Sequence, residues 1–283
     1  MRIGWLGARG SPKRMTTAAR LKTSANLQLL GSFAPRFHEL RVDDEWQASV
    51  ASLLHGRHGR LRTFAQRVAR VYLSDFDANA LTGMYRMQLL PPGAWRSLVG
   101  ARGGGRLLDV GAGSGDVTSA LAPCFDEVEA TEVSRGMARR LNKRGVPCHT
   151  FDVTEAPLAD SSFDAVSLLN VLDRCQKPRQ LLRHCLQSLK TGGVFIVALA
   201  LPYRPFYFDG PSTPEPLERL ECDPGTRTGA ARWEDGARRF IERDLLPLGL
   251  TLECFARAPY LSAGDSARPL YELDDVVVVL TKR

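Results

Sequence analysis

The sequence lacks any long apolar run: no window of its 283 residues approaches the roughly 18 to 20 uninterrupted apolar residues that a membrane-spanning helix requires. It also lacks paired-cysteine motifs, because its six cysteines are scattered and form neither a C-x-x-C pair nor a Cys/His group at zinc spacing. We therefore expect no membrane span, no metal site and an intracellular protein with reduced thiols, cytoplasmic or organellar. With 44% hydrophobic and 24% charged residues the composition is that of an ordinary globular protein.

Acidic residues are absent from positions 1–38, which contain seven of the 38 lysines and arginines. The other 31 basic residues equal the 31 acidic ones, so the net charge of +7 belongs to this basic N-terminal arm. An arginine-rich, acid-free start with several serines and threonines is typical of an organellar, for example mitochondrial, transit segment. A solvated or partner-binding arm is the alternative. Because the rest of the chain is neutral, we expect no nucleic-acid partner.

Glycine is frequent at one place, the stretch LLDVGAGSGDVT (107–118), where Gly111, Gly113 and Gly115 follow a short apolar run. The pattern predicts a strand, a loop that a ligand can approach closely, and a helix. A dinucleotide fingerprint would need G-x-G-x-x-G, but Asp116 stands at the third glycine's position. The loop resembles the first motif of class I S-adenosylmethionine (SAM) methyltransferases. An ordinary tight turn is the alternative.

From residue 106 onward, apolar strand patterns alternate with helical ones, which predicts an α/β fold: a doubly wound, Rossmann-like sheet with helices on both faces. Seven strands are expected, over 107–112, 127–134, 147–153, 163–172, 192–201, 250–261 and 274–283. This domain spans 105–283 and includes a proline-rich insert or lid at 202–229. Residues 39–104 predict a helical cap, with helices over 42–56 and 60–76 and a third over either 84–90 or 94–100.

Polar residues close the predicted strands, where ligands of open α/β sheets bind. Glu132 can accept hydrogen bonds from both ribose hydroxyls, and Asp152 can contact an adenine amino group. An exposed acid at a strand end is the alternative for each; the glycine loop favours the functional interpretation of Glu132, whereas for Asp152 the two are balanced. Asp109 either orders the glycine loop or faces the methionine ammonium. The strand ending at Asn170 lacks the [DNS]-P-P-[YFW] motif of enzymes that methylate base amino groups, which argues against that substrate.

Six segments together resemble the DREV methyltransferase family: LLDVGAGSGDVT, EVEATEVS, FDAVSLLNVLDRC, ALALPYRPF, FARAPYLSAGD and YELDDVVVVL. The resemblance covers about 107–283, is weak over the first hundred residues, and is broken by the insert at 210–229. It implies a SAM-dependent methyltransferase acting on the Nδ1 (pros) nitrogen of histidine in His-x-His sequences of proteins. It also implies that Glu132, Asn170 and Tyr260 contact the cofactor and that Asp173 engages the substrate histidine.

Asp173 makes chemical sense in that role, because a carboxylate that accepts the Nε2 hydrogen of a neutral imidazole leaves the Nδ1 lone pair free. We therefore predict Asp173 and Asn170 as catalytic residues, and Arg174, Tyr203 and Phe206 as further substrate contacts. Asp173 as a helix cap and the aromatic residues as core are the alternatives. At the level of function, a small-molecule methyltransferase and an RNA methyltransferase stay open. We expect a monomer.

Overall fold

A computed structural model describes residues 21–55, 86–207, 214–223, 232–263 and 270–283 of the chain. Its central element is a sheet of eight strands. In chain order they are β1 (Met87–Gln88), β2 (Arg106–Val110), β3 (Glu127–Thr131), β4 (Cys148–His149), β5 (Phe163–Leu169), β6 (Leu189–Ala200), β7 (Leu250–Ala263) and β8 (Leu270–Lys282). Their order across the sheet is β1-β7-β8-β6-β5-β2-β3-β4.

Seven helices flank the sheet within the described ranges. They are α1 (Leu27–Leu30), α2 (Asp44–His55), α3 (Pro92–Val99), α4 (Asp116–Leu121), α5 (Arg135–Lys143), α6 (Pro178–Ser188) and α7 (Trp233–Arg239). A π-helical stretch, Phe240–Leu245, extends α7 toward β7. Short 3₁₀ turns cover Gly31–Arg36, Gly100–Arg102, Ala122–Cys124 and Leu246–Leu248. None of these helices is long and apolar enough to cross a bilayer.

Strands β2 to β6 are mutually parallel, whereas β8 runs antiparallel between β6 and β7. The strand order reverses between β2 and β5, because the chain leaves β2 toward β3 and β4 and returns to β5 on the other side. This reversal creates a crevice at the carboxyl ends of β2 and β5, where such sheets bind ligands. The predicted α/β class and doubly wound sheet are confirmed.

The strand count differs from the prediction of seven, because β1 adds an antiparallel edge strand beside β7. It lies in the stretch 84–90, one of the two places predicted for a third N-terminal helix. The pair Pro91–Pro92 explains the difference: a residue before proline is driven to extended backbone, and proline then suits the first turn of α3. The third predicted strand, 147–153, is likewise reduced to β4.

Both faces of the sheet are buried, which is why β6 reads as a continuous apolar run. Phe195, Val197 and Leu199 point to one side, in a core cluster shared with α6 and α7. Ile196 and Ala198 point to the other, in a cluster shared with α2 and α3. The result is three layers, with the carboxyl ends of the strands left as the edge where loops meet.

Residues 21–38, predicted as part of a separate basic arm, pack against the main domain. Leu30 is fully buried in the α6–α7 side of the core. The backbone N–H of Asn26 donates to Glu234 Oε1 at 2.9 Å, and that of His38 donates to the carbonyl oxygen of Phe255 at 2.8 Å. Apolar residues within the predicted arm therefore contribute to the core, and the domain boundary at 38 stays a prediction. Residues 1–20 and the predicted helix over 60–76 lie outside the described residues.

The proline-rich insert is anchored to the domain through its described residues 218–222. Leu220 and Cys222 are buried in the core. The Glu218 carboxylate accepts hydrogen bonds from the backbone N–H groups of Arg179 and Gln180 at 3.0 and 3.1 Å. The insert thus supplies the first turn of α6 with the acceptor that no residue of the helix provides.

Candidate active site

The glycine loop turns sharply at the end of β2, with φ of +68° at Gly111, +57° at Gly113 and +77° at Gly115. A Cβ at Gly111 would lie 2.8 Å from Val171 Cγ2, and one at Gly115 would lie 2.5 Å from Leu141 Cδ2. These two glycines are required by packing. At Gly113, no heavy atom of the described chain lies within 4 Å of such a Cβ. Gly113 is therefore the point at which a ligand can come close to the backbone.

Glu132 follows β3 directly and lies beneath this loop. Its Oε2 accepts a hydrogen bond from the backbone N–H of Gly113 at 2.9 Å, and its Oε1 accepts one from the N–H of Ser134 at 2.9 Å. The geometry places Glu132 beside the open glycine, as the ribose prediction requires.

Asp109 is only 2% exposed, and its two oxygens are both used inside the protein. Oδ2 accepts from the Thr118 hydroxyl at 2.6 Å and Oδ1 from the Ser167 hydroxyl at 2.7 Å. Burial raises the pKa of this carboxyl to about 6. Of the two roles predicted for Asp109, the structure supports the ordering of β2, β5 and α4. The contact with a ligand ammonium stays a prediction.

Asp152 is exposed and folds back on its own turn. Its Oδ1 accepts from the backbone N–H of Thr154 at 2.8 Å and from the Thr154 hydroxyl at 2.7 Å. This Asx turn ends the extended segment after β4. The contact with adenine stays a prediction.

Asn170 follows β5 in a left-handed conformation, with φ of +59°. Its Nδ2 donates to Asp275 Oδ2 at 2.6 Å, and its Oδ1 is buried with no hydrogen-bond partner among the described residues. Asp275 lies in β8 and was missed by sequence reasoning. The only signal was its place before a run of four valines, in a strand that the pattern predicts to be buried.

Asp173 lies three residues beyond Asn170 and is 4% exposed. Its Oδ2 is 3.6 Å from Arg174 Nε, and its Oδ1 is buried without a partner in the described part of the chain. Burial raises the pKa of this carboxyl, although the neighbouring guanidinium opposes that shift. Asp173 does not cap α6, whose N-cap residue is Lys177, so the helix-cap alternative is wrong.

Phe206 and Arg174 form one wall beside Asp173. The Arg174 guanidinium carbon lies 5.4 Å from the centroid of the Phe206 ring, within the range of a cation–π contact. The backbone N–H of Phe206 donates to the carbonyl oxygen of Asp173 at 2.7 Å. Both predicted substrate contacts therefore lie next to the predicted catalytic carboxylate.

Tyr260 and Tyr203 are placed differently by the fold. Tyr260 belongs to β7, and its hydroxyl donates to Met87 Sδ of the edge strand β1. Burial raises its pKa, and the charges of Arg174 and Asp275 act on it, so it shares the same polar cluster. Tyr203 is instead buried in the core, only 2% exposed. The structure therefore offers no exposed ring of Tyr203 to a substrate groove, and that predicted contact is not supported.

The polar cluster consists of Asn170, Asp173, Arg174, Tyr260 and Asp275. Three of its buried oxygens have no partner in the described chain: one each on Asn170, Asp173 and Asp275. The Asp173 carboxylate lies beside the Arg174 guanidinium, and the unused atoms of the cluster are these three acceptor oxygens and one donor, Arg174 Nε. The site is therefore suited to a ligand that brings N–H donors or positive charge. The described residues contain no group of His, Cys, Asp and Glu that could hold a metal ion.

Comparison with known proteins gives a family match over most of the chain. The DREV methyltransferase family matches residues 45–282. The demethylmenaquinone methyltransferase of Renibacterium salmoninarum is 39% identical over 111 residues, which are 37% of this chain and 46% of that protein. The one from Beutenbergia cavernae is 35% identical over 148 residues, 49% of this chain and 58% of that protein. The chain thus spans about half the length of these relatives.

Solved structures with a similar fold are more distant in sequence. The N-methyltransferase NodS from Bradyrhizobium japonicum, in complex with S-adenosyl-L-homocysteine, shares 14% identity at a TM-score of 0.42, covering 68% of this chain and 85% of its own. A putative methyltransferase from Bacillus halodurans shares 13% identity at a TM-score of 0.46, covering 68% and 98%.

Proposed function

Since the chain belongs to the DREV methyltransferase family, we propose that it transfers a methyl group to the Nδ1 nitrogen of histidines in His-x-His sequences of proteins. The methyl donor is SAM, which when bound supplies a methyl group already activated by its sulfonium. The histidine acceptor is the step that goes beyond the family match.

The residues at the crevice fit this donor. Gly113 leaves open space above the loop, and the Glu132 carboxylate, the group expected to bind the ribose, lies beneath it and accepts the Gly113 N–H. The buried Oδ1 of Asn170, which has no partner in the described chain, is a ready acceptor for a donor group of the cofactor. We assign these three residues, with Gly111, Gly115 and Tyr260, to the cofactor pocket.

The observation that carries the histidine assignment is the unused Oδ1 of Asp173, buried beside Arg174. A neutral imidazole has one N–H and one lone pair on opposite nitrogens. When Asp173 accepts the Nε2 hydrogen, the Nδ1 lone pair points away from it, toward the transferable methyl. One carboxylate thus fixes both the orientation and the nitrogen that reacts.

The same carboxylate favours the reaction as positive charge develops on the ring. Burial removes water from Asp173, which is why its pKa is raised, and a desolvated carboxylate interacts more strongly with a nearby cation than a hydrated one. No strong base is needed, because neutral imidazole already carries its lone pair at pH 7. Arg174 and Phe206, which hold this segment in place, are the proposed walls of the substrate groove.

The test is transfer of labelled methyl from SAM to two peptides, one with His-Ala-His and one with both histidines replaced by alanine, followed by identification of the methylated nitrogen. We expect label on the first peptide alone, at Nδ1. Asp173→Asn keeps the shape but removes the charge, so we expect transfer to fall by about 100-fold while SAM affinity is unchanged. Asp160→Asn, an exposed substitution far from the crevice, is the matched control. Full transfer by Asp173→Asn would refute the role of the carboxylate.

A small-molecule acceptor is the second candidate, and it is favoured by one observation: the matched relatives are demethylmenaquinone methyltransferases. Under this alternative the protein binds SAM but labels neither peptide. Methylation of a quinol-type compound under the same conditions would then replace the histidine proposal.

A further inference from the structure

Asp275 is a charged residue in the interior of a sheet strand. It lies in β8, paired with Ala200 of β6 on one side and Ala258 of β7 on the other, and is 0% exposed. An ionised carboxylate in such a place is costly unless it is used, and an apolar residue of similar size is often no less stable. The role of Asp275 must therefore be sought in what its side chain contacts.

The side chain reaches across β6 to Asn170. The distance from Asn170 Nδ2 to Asp275 Oδ2 is 2.6 Å, across a sequence separation of 105 residues. Ala200, directly opposite Asp275 on the intervening strand, carries only a methyl group and leaves this path open. The bond forms because β8, β6 and β5 lie side by side in the sheet, although Asp275 and Asn170 are far apart in sequence.

This bond decides which end of the Asn170 amide is presented to the crevice. The amide has a donor end, Nδ2, and an acceptor end, Oδ1, whereas an ionised carboxylate can only accept. Nδ2 therefore faces Asp275, and Oδ1 is left on the other side, buried and without a partner among the described residues. A rotated amide would set two acceptors against each other and turn a donor toward the ligand.

We propose that Asp275 is a positioning residue, whose carboxylate holds the Asn170 amide so that Oδ1 faces the cofactor. The inference rests on the proposed function only in that Asn170 contacts SAM, and it does not depend on which acceptor is methylated. The neighbouring Asp274 shows the contrast: its carboxylate forms a two-pronged pair with Arg257 at 2.6 and 2.8 Å and does not contact Asn170.

A double-mutant cycle on SAM affinity tests this, because a residue that acts through another gives non-additive effects. We expect Asp275→Leu and Asn170→Ala each to weaken SAM binding in calorimetry by about tenfold, the value of one hydrogen bond to a charged ligand. The double variant should bind no more weakly than Asn170→Ala. Asp274→Asn, the matched control on the same strand, should bind SAM like the original chain.

Two outcomes overturn the proposal: wild-type affinity in Asp275→Leu, or an additive loss of about 100-fold in the double variant. If Asp275→Leu does not fold, as judged by circular dichroism, the pair is tested by exchange. Asn170→Asp sets two buried carboxylates together and should weaken SAM binding, and adding Asp275→Asn should restore it. Failure of that restoration also overturns the proposal.

The outcomes separate this inference from the histidine proposal. Methyl transfer to the His-Ala-His peptide is measured in the same variants, with kcat and KM determined separately. If no peptide is labelled but the effects on SAM affinity are non-additive, the role of Asp275 stands and only the histidine acceptor is refuted. If the peptide is labelled but the two substitutions have additive effects on SAM affinity, the histidine acceptor stands and the role of Asp275 is refuted.

Discussion

Replacing Gly113 by alanine should separate cofactor binding from folding. The residue has φ of +57°, a conformation that costs a residue with a Cβ roughly 1–2 kcal/mol, but no described heavy atom lies near the added methyl group. The free energy of unfolding should therefore fall by about 1 kcal/mol, and Tm by about 2–4 °C. The methyl group would occupy the space in which the ligand approaches the loop, so we expect SAM affinity to fall by about 100-fold, or about 3 kcal/mol.

Gly192 supplies a matched control for this substitution. It has φ of +77° and open space around its Cβ position within the described chain, and it lies at the amino end of β6, on the opposite edge of the sheet from the crevice. Gly192→Ala should lower Tm by a similar amount and leave SAM affinity unchanged, as measured by calorimetry on both variants. Equal SAM affinity in the two variants would refute the placement of the cofactor over Gly113.

Three further substitutions test the surroundings of the site. Because the pKa of Asp109 is raised to about 6 in the folded protein, its carboxyl contributes stability below pH 4, and this contribution is lost as pH rises through 6. The loss should be about 3 kcal/mol. In Asp109→Asn it should be absent when the unfolding free energy is measured by denaturant between pH 4 and 7. Glu218→Ala should lower the unfolding free energy by about 1 kcal/mol in urea, since two N–H groups of α6 lose their acceptor, whereas Glu218→Gln should lose less. Arg257→Ala breaks the ion pair with Asp274 and the stacking of the guanidinium on Trp233 at 5.1 Å. The unfolding free energy in urea should fall by about 1–3 kcal/mol. An unchanged urea midpoint in Glu218→Ala or Arg257→Ala would contradict the role given to that residue.

Local patterns were enough to predict the centre of the fold. The strand, glycine loop and helix at 106–121 depend on residues next to each other in sequence, and the structure forms them there. The proximity of Glu132 to the loop followed from parallel topology, because adjacent parallel strands end at one edge. The DREV resemblance is confirmed by the family match.

Long-range packing was beyond such patterns. Nothing local distinguishes Asp275 from the acid before it, and only the pairing of β8 with β6 brings its side chain to Asn170. The edge strand β1 depends likewise on β7, which lies far along the chain. Basic composition predicted a transit segment, or a solvated or partner-binding arm, over 1–38. Leu30 lies within that range and is buried in the core, so a few apolar residues can decide where part of such a segment lies.

The acids of the crevice differ in what satisfies them, and this difference bears on substrate choice. Asp109 has both oxygens bonded to protein hydroxyls, so it organises the strands. Asp173 retains a buried oxygen without a partner in the described chain, at a cost of roughly 1–3 kcal/mol. A ligand that brings an N–H or O–H donor recovers that cost, and a ligand that lacks such groups does not. The N–H of an imidazole becomes a stronger donor as the ring gains positive charge, so its hydrogen bond to a carboxylate is stronger in the transition state than in the ground state. Only interactions that strengthen in the transition state accelerate a reaction.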